Sequence, residues 1–335
     1  MATALAYAAI YLIWGSTFLA IRIAVESIPP FLMMGMRCVS AGLLLIAWAT
    51  FRGERAPARG WAHATVAGAL MFGCAYGAVA WAEQRIPSGV TSLVVATLPL
   101  WVTALEWARV GKRPSPRALL GVALGFGGVA LLVSRGGGAP LPLAPIVVVM
   151  LGEGAWAIGS LYARPPRLPK SVTLNAGMPL LAGGVLLILT SLAVREVQTF
   201  QVRNVSSASV VALGYLMIFG SIIAFSAYAW LMQVSAPWRV GTHAYVNPLI
   251  AVALGAAVAG EPLTSTLVAS AIVIAGSVAL ILAGHDTHAA TADRVGRKAS
   301  TVVVRESPRA AAVRPAITAR RVVSSLRETR QPGPA

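Results

Sequence analysis

Thr242–Ile281 reads THAYVNPLIAVALGAAVAGEPLTSTLVASAIVIAGSVALI. It is two apolar segments joined by a short turn, with Pro248 early in the first segment and Gly260-Glu261-Pro262 in the turn. Ser92–Val133, SLVVATLPLWVTALEWARVGKRPSPRALLGVALGFGGVALLV, follows the same plan. Pro99 and Pro248, Gly111 and Gly260, and Trp81 and Trp230 are each separated by 149 positions. Ala80/Ala229, Gln84/Gln233, Leu100/Leu249, Ala104/Ala253 and Leu131/Leu280 keep that register without a gap. Apolar stretches match often by chance, but tryptophan and proline landmarks in one register rarely do. The pattern reads as an internal duplication, and in a membrane protein a duplication is a first clue to mechanism.

Composition agrees with a membrane setting. The 335 residues are 57% hydrophobic and 11% charged, with mean hydropathy +0.74. Soluble domains carry about 25% charged residues, so this chain cannot cover a water-facing surface. The formal charge of +16 resembles that of a nucleic-acid binder until its positions are read. Most of it lies in short loops and after Gly284, so it concerns topology and implies no nucleic-acid partner. Cys38 and Cys74 sit inside apolar segments and suggest neither a disulfide framework nor a metal site. No motif calls for a cofactor: Arg135-Gly136-Gly137-Gly138 lacks the Gly-Lys-Ser/Thr of a P-loop, and no zinc or nucleophile-elbow motif occurs.

A helical span needs about 20 mainly apolar residues. Ten such segments are expected: Leu5–Ile21, Phe31–Phe51, Ala62–Ala82, Gly89–Trp107, Ala118–Val133, Leu143–Tyr162, Val172–Val194, Val210–Met232, Val240–Ala259 and Thr264–Ala283. None alternates as a transmembrane barrel strand does, so the expected fold is an all-α integral membrane protein. With the N-terminus inside, the inner loops hold eleven basic residues, among them Arg52, Arg109, Lys112, Arg113, Arg167 and Lys170. The outer loops hold five: Arg22, Arg85, Arg135, Arg195 and Arg203. The positive-inside preference therefore puts both termini in the cytoplasm. Five spans per copy is an odd number, so the copies insert in opposite senses, as two inverted five-helix repeats. The expected units are residues 1–139, 140–284 and a basic, disordered cytoplasmic tail at 285–335, where ten Lys/Arg face four acidic residues. That tail has two readings, a solvated segment or a contact with anionic lipid. The wealth of Ala, Gly and Val, and of Arg over Lys, suggests a GC-rich bacterial source and hence the inner membrane.

Trp14-Gly15-Ser16-Thr17-Phe18, Pro29-Pro30, Arg37, Tyr245-Val246-Asn247-Pro248 and Gly260-Glu261-Pro262-Leu263 together resemble the EamA family of the drug/metabolite transporter superfamily. The resemblance covers roughly residues 5–284 and implies export of small metabolites, often amino acids or related compounds, by alternating access. It names no substrate. One departure is visible: Gly111-Lys112-Arg113-Pro114 stands where the family has Gly-Glu-Arg-Pro, which argues against a transport role shared by both turn positions.

Polar groups inside spans mark candidate sites, because a central charge costs about 2.5 to 3.5 kcal/mol on insertion scales. Glu153, between Gly152 and Gly154, is the first candidate: it could carry a proton for coupling, meet a substrate ammonium, or simply hydrogen-bond a neighbouring helix. His243 and Asn247 are four residues apart and share a helix face, and Pro248 removes a backbone donor beside them. Pro99 and Pro248 mark equivalent inverted points, where a cavity is expected. Trp14, Tyr76, Trp101, Trp156 and Tyr228 supply mid-span aromatic surface for a pocket or for packing. Arg37 is expected to snorkel outward or pair with Glu26, a structural role favoured over direct substrate contact, and Glu261 to serve the turn. Gly121-x-x-x-Gly125 signals close helix packing, either internal or between the subunits of a homodimer. The favoured reading is an inner-membrane exporter, moving substrate downhill or against a proton gradient. A lipid or lipid-linked sugar flippase and an intramembrane enzyme are the alternatives, and the latter lacks a polar cluster at one face.

Overall fold

The computed structural model describes residues 1–111, 113–134, 141–163, 167–235 and 240–281. The basic tail, the repeat junction near Pro140, Lys112, Arg164 and the side chain of Glu106 lie outside the described residues. Among those described there is no strand. The helices are α1 (Ala2–Ala24), α2 (Pro30–Phe51), α3 (Ala58–Glu83), α4 (Ser88–Val95), α5 (Leu98–Val110), α6 (Pro116–Ser134), α7 (Leu143–Tyr162), α8 (Val172–Ala193), the short α9 (Glu196–Thr199), α10 (Ser207–Val234), α11 (His243–Ala259) and α12 (Ser265–Ile281). Seven helical stretches among the described residues are long and apolar enough to cross a membrane: α1, α2, α3, Ser88–Arg109, α7, α8 and α10. The 22 residues of α2 span about 33 Å at 1.5 Å each, close to the ~30 Å of a hydrocarbon core. Shorter apolar helices cover Pro116–Leu132, Val246–Ala259 and Ser265–Ile281.

Prolines set the starts. Pro30 and Pro116 open α2 and α6, and Pro87 and Pro142 directly precede α4 and α7, positions where a missing N–H costs nothing. At the ends of α5 and α11, Gly111 (φ 70°) and Gly260 (φ 64°) adopt the left-handed conformation, which glycine takes without Cβ strain.

The single span expected over Gly89–Trp107 is interrupted at Ala96–Thr97, where α4 ends and α5 begins. Two other spans carry internal π segments, Ala69–Tyr76 within α3 and Leu216–Ala224 within α10. No composition rule announces a π segment, and such bulges gather at functional sites.

Lipid removes the hydrophobic drive between helices, so close packing and hydrogen bonds must hold them together. Large apolar side chains such as Leu5, Leu44, Phe51, Val211 and Ile272 are exposed, as a lipid-facing surface requires. Inside, small residues let backbones meet. Along the α2–α8 seam, a Cβ on Gly42 would sit 2.6 Å from Leu181 N, and one on Gly184 2.7 Å from Val39 N. The Gly121-x-x-x-Gly125 stripe is used internally: Cβ atoms there would meet Ser277 O at 2.7 Å and Leu100 Cδ2 at 2.8 Å.

Two carboxylates cap helices that belong to distant parts of the chain. Glu196 accepts from Leu32 N at 3.0 Å and Phe31 N at 3.4 Å, at the start of α2. Glu261 accepts from Ser88 N and Ser88 Oγ, both at 2.8 Å, and from Gly89 N at 3.1 Å, at the start of α4. Helix N-termini carry orphan N–H groups and partial positive charge, and a carboxylate answers both. The turn glutamate of the opening stretch thus joins the α11–α12 turn to α4.

Candidate functional site

A cavity lies where α1, α2, α3, α4, α7 and α11 converge. The centre of a water-sized sphere can occupy about 80 Å³ of it, several times what one water needs. Its polar lining includes Arg37, Glu153, His243 and Asn247. All four are buried, at 1%, 4%, 8% and 7% exposure, which is what separates them from the many loop charges.

The aromatic wall follows from helix spacing. Glu153 and Trp156 lie three apart on α7 and so share a face. Trp156 stacks on Tyr76 with ring centres 5.5 Å apart and planes at 15°. It meets Trp14 edge-on at 6.3 Å, and Trp14 packs on Tyr228 at 5.1 Å and on His243 at 5.2 Å. Each such pair contributes about 0.5–1.5 kcal/mol beyond its buried area. The glycines beside Glu153 permit this closeness. A Cβ on Gly152 would lie 3.0 Å from Ala78 Cβ, and one on Gly154 3.3 Å from the Trp101 ring.

Both π segments abut the cavity. The first ends at Tyr76. The second presents the Gly220 carbonyl to Trp14 Nε1 at 3.2 Å and the Ser221 hydroxyl to Arg37 Nε at 2.7 Å. Arg37 also lies 4.6 Å above the Tyr76 ring centre and approaches Met34 Sδ at 3.7 Å. It neither snorkels outward nor pairs with Glu26; it is held inside by neutral partners.

On α11, His243 Nδ1 lies 2.8 Å from Val240 O and so carries the proton of that bond. The Asn247 amide, in the orientation that satisfies its neighbours, donates to Tyr11 O at 3.1 Å and His243 O at 3.2 Å. Pro248, inside the helix, leaves the Ala244 carbonyl without its usual i+4 donor. Tyr11 OH and Thr242 Oγ1 hydrogen-bond across to α1.

Of the residues singled out from sequence, the cavity brings together Trp14, Tyr76, Glu153, Trp156, His243, Asn247 and Pro248. Tyr228 stands behind Trp14 and Trp156 and lines a second cavity with Met71, Ser160 and Phe225. Trp101 packs on Gly154, with its indole N–H buried and without a partner among the described residues. Pro99 is not in the lining; it sits in the first turn of α5, where it breaks no helical hydrogen bond. Sequence reasoning gave Arg37 a structural role and singled out none of Thr17, Ser92 and Ser221 as site residues. The available signal for Arg37 was its depth in an apolar span. Glu83, the last residue of α3, was not among the site residues singled out from sequence. In the structure it is fully buried, with both carboxyl oxygens unpartnered among the described residues, while its backbone carbonyl accepts from Arg22.

Comparison with known proteins places these features in a family. The model of the EamA-like transporter family matches residues 1–134 and 143–283. The chain is 38% identical over 279 residues to the "uncharacterized inner membrane transporter YedA" of Escherichia coli (strain K12), covering 82% of this chain and 89% of that one. It is 23% identical over 283 residues to the "probable amino-acid metabolite efflux pump" of Salmonella typhimurium (strain LT2), covering 79% of this chain and 89% of that one. A solved crystal structure with 22% identity superposes with a TM-score of 0.60 over 83% of this chain and 95% of its own, a likeness of fold. A buried polar cavity inside a bundle of apolar helices, with a family match over nearly all described residues, leaves one assignment: the chain belongs to the EamA-like transporter family.

Proposed function

We propose that this chain exports small metabolites, amino acids or related compounds, across the bacterial inner membrane by alternating access between two inverted five-helix halves, with both termini cytoplasmic. The observation that carries the reading is the convergence of Arg37, Glu153, His243 and Asn247, all buried, on one aromatic-walled cavity. Burying such groups among apolar helices is costly, and in membrane proteins they mark substrate or ion paths.

Three structural correspondences support the duplication. The π segments Ala69–Tyr76 and Leu216–Ala224 fall close to the 149-position register. The left-handed glycines Gly111 and Gly260 fall on it, and the family model matches the two stretches separately. The Salmonella relative's name supports the substrate range. Within this reading the lining of the cavity supplies the contacts, Glu153 is the coupling candidate, and Trp101 and Tyr228 support the wall from behind.

The flippase reading has one feature in its favour, an open groove between α1 and α10 lined by Ser16, Leu19, Val211 and Tyr215. Among the described residues no charged side chain lines that groove, so it offers no counter-charge to a charged head group, and the exporter reading stands ahead. The test is uptake into inverted membrane vesicles by wild type and Glu153→Gln across pH. Loss of the pH dependence in the variant is expected if Glu153 couples protons. Identical pH dependence in both removes it from that role, and no uptake of any metabolite beyond empty vesicles removes the exporter reading.

A further inference from the structure

A guanidinium has five N–H donors and no acceptor. For Arg37 the structure supplies one hydroxyl, Ser221 Oγ at 2.7 Å, one thioether, Met34 Sδ at 3.7 Å, and the face of Tyr76. None of these is charged; the carboxylate whose field reaches it, the fully buried Glu83, makes no hydrogen bond or ion pair with it among the described residues. A buried cation without a directly paired, hydrogen-bonded counter-ion is strongly unfavourable. Yet Arg37 is 1% exposed and part of the cavity lining. Its unmet donors fit an anion that arrives with the substrate, and guanidinium geometry matches a carboxylate in particular.

Glu153 stands in the converse condition. It is 4% exposed, lines the same cavity, and has no hydrogen-bond partner among the described residues. Tyr76 links the two groups: it lies under Arg37 and stacks on Trp156, one turn along α7 from Glu153. Trp14, Phe18, Ile21 and Val79 make most of the remaining wall apolar. We propose that Arg37 and Glu153 are the two poles of a zwitterion site, Arg37 receiving the substrate's carboxylate and Glu153 its ammonium, so that the preferred substrates are α-amino acids with apolar or aromatic side chains. This assignment rests on the exporter reading above and adds the residues that select within it.

The test uses the full-length protein in proteoliposomes and three labelled compounds of one shape: L-phenylalanine, phenethylamine, which lacks the carboxylate, and 3-phenylpropionate, which lacks the ammonium. Wild type should transport L-phenylalanine about ten- to a hundredfold better than either, the range expected for one lost charged hydrogen-bonding pole. Arg37→Gln should lose the preference over phenethylamine, Arg37→Lys should keep part of it, and Glu153→Gln should lose the preference over 3-phenylpropionate. A purely structural Arg37 would lower all fluxes together and leave these ratios unchanged. Wild-type flux that treats the three alike overturns the assignment without any variant having to fold. Ratios unchanged in folded Arg37→Gln and Glu153→Gln overturn it as well. Failure of the exporter reading looks different: wild type then moves none of the three, nor any compound of a wider metabolite panel.

Discussion

Replacing Glu261 by alanine tests how the opening stretch holds the bundle together. Its carboxylate accepts three hydrogen bonds at the start of α4, from Ser88 N, Ser88 Oγ and Gly89 N at 2.8, 2.8 and 3.1 Å. Pro87, at the N-cap position, offers no side-chain cap, so Glu261 does that work from 173 residues away. Ser88 is fully buried, so its N–H has little recourse to water once the carboxylate is gone. Loss of an N-cap costs about 0.5–2 kcal/mol, and a buried donor left unsatisfied about 1–3 kcal/mol. Part of that is regained because Glu261 is itself only half-buried, which leaves about 2–4 kcal/mol for Glu261→Ala. Glu261→Gln keeps one acceptor oxygen and should lose less than half as much. Ser88→Ala removes one of the three bonds and should cost about 1 kcal/mol. Thermal unfolding of the purified protein in detergent, followed by tryptophan fluorescence, ranks the three variants. Equal losses for Glu261→Ala and Glu261→Gln, or none for either, would refute the cap. So would additivity of Glu261→Ala with Ser88→Ala, because a shared interaction cannot be lost twice.

Other expectations follow from the same packing. Gly125→Val should destabilise by about 1–3 kcal/mol or more, since its Cβ would press on Leu100 and Ser277; an unchanged unfolding temperature contradicts the internal α6–α12 contact. Glu83→Leu should raise the unfolding temperature, because it removes a fully buried carboxyl with two unpartnered oxygens, a cost of about 1–3 kcal/mol. A marked fall would mean that a partner engages this carboxyl. Pro99→Ala should be nearly silent in unfolding, whereas Pro248→Ala restores a donor for Ala244 O within α11. The latter is expected to stabilise the helix and slow efflux, measured in the same vesicles; equal behaviour of the two variants would show that the prolines do the same job.

The local sequence carried much of the architecture. Long apolar runs admit only helices in lipid, because every backbone N–H and C=O must be satisfied within the segment. Turn glycines and first-turn prolines then mark where those helices stop and start, as Gly111, Gly260, Pro30 and Pro116 do. The π segments and the break at Ala96–Thr97 were not legible, since each depends on what neighbouring helices press against the backbone. The site divided along the same line. Glu153, His243 and Asn247 were visible because a polar group within an apolar run is expensive wherever the run ends up. The environment of Arg37 was not, because its hydroxyl partner is 184 residues away and nothing in the second span says which helix will face it.

The opening stretch shows both sides of this division. From sequence, Gly260-Glu261-Pro262 could be read as a turn between two apolar helices, and the left-handed Gly260 at the end of α11 fits that reading. Pro99 and Pro248 read as equivalent points. Tertiary structure makes one a helix start outside the cavity wall and the other an in-helix residue within it. Sequence fixes which groups are costly to bury, because transfer into lipid is a property of the residue and its span. Only packing decides which costly groups meet, because contact between α2, α7, α10 and α11 depends on how whole helices cross. That is why Glu261 ends as a clamp on α4, while Arg37 and Glu153, far apart in the chain, line one cavity.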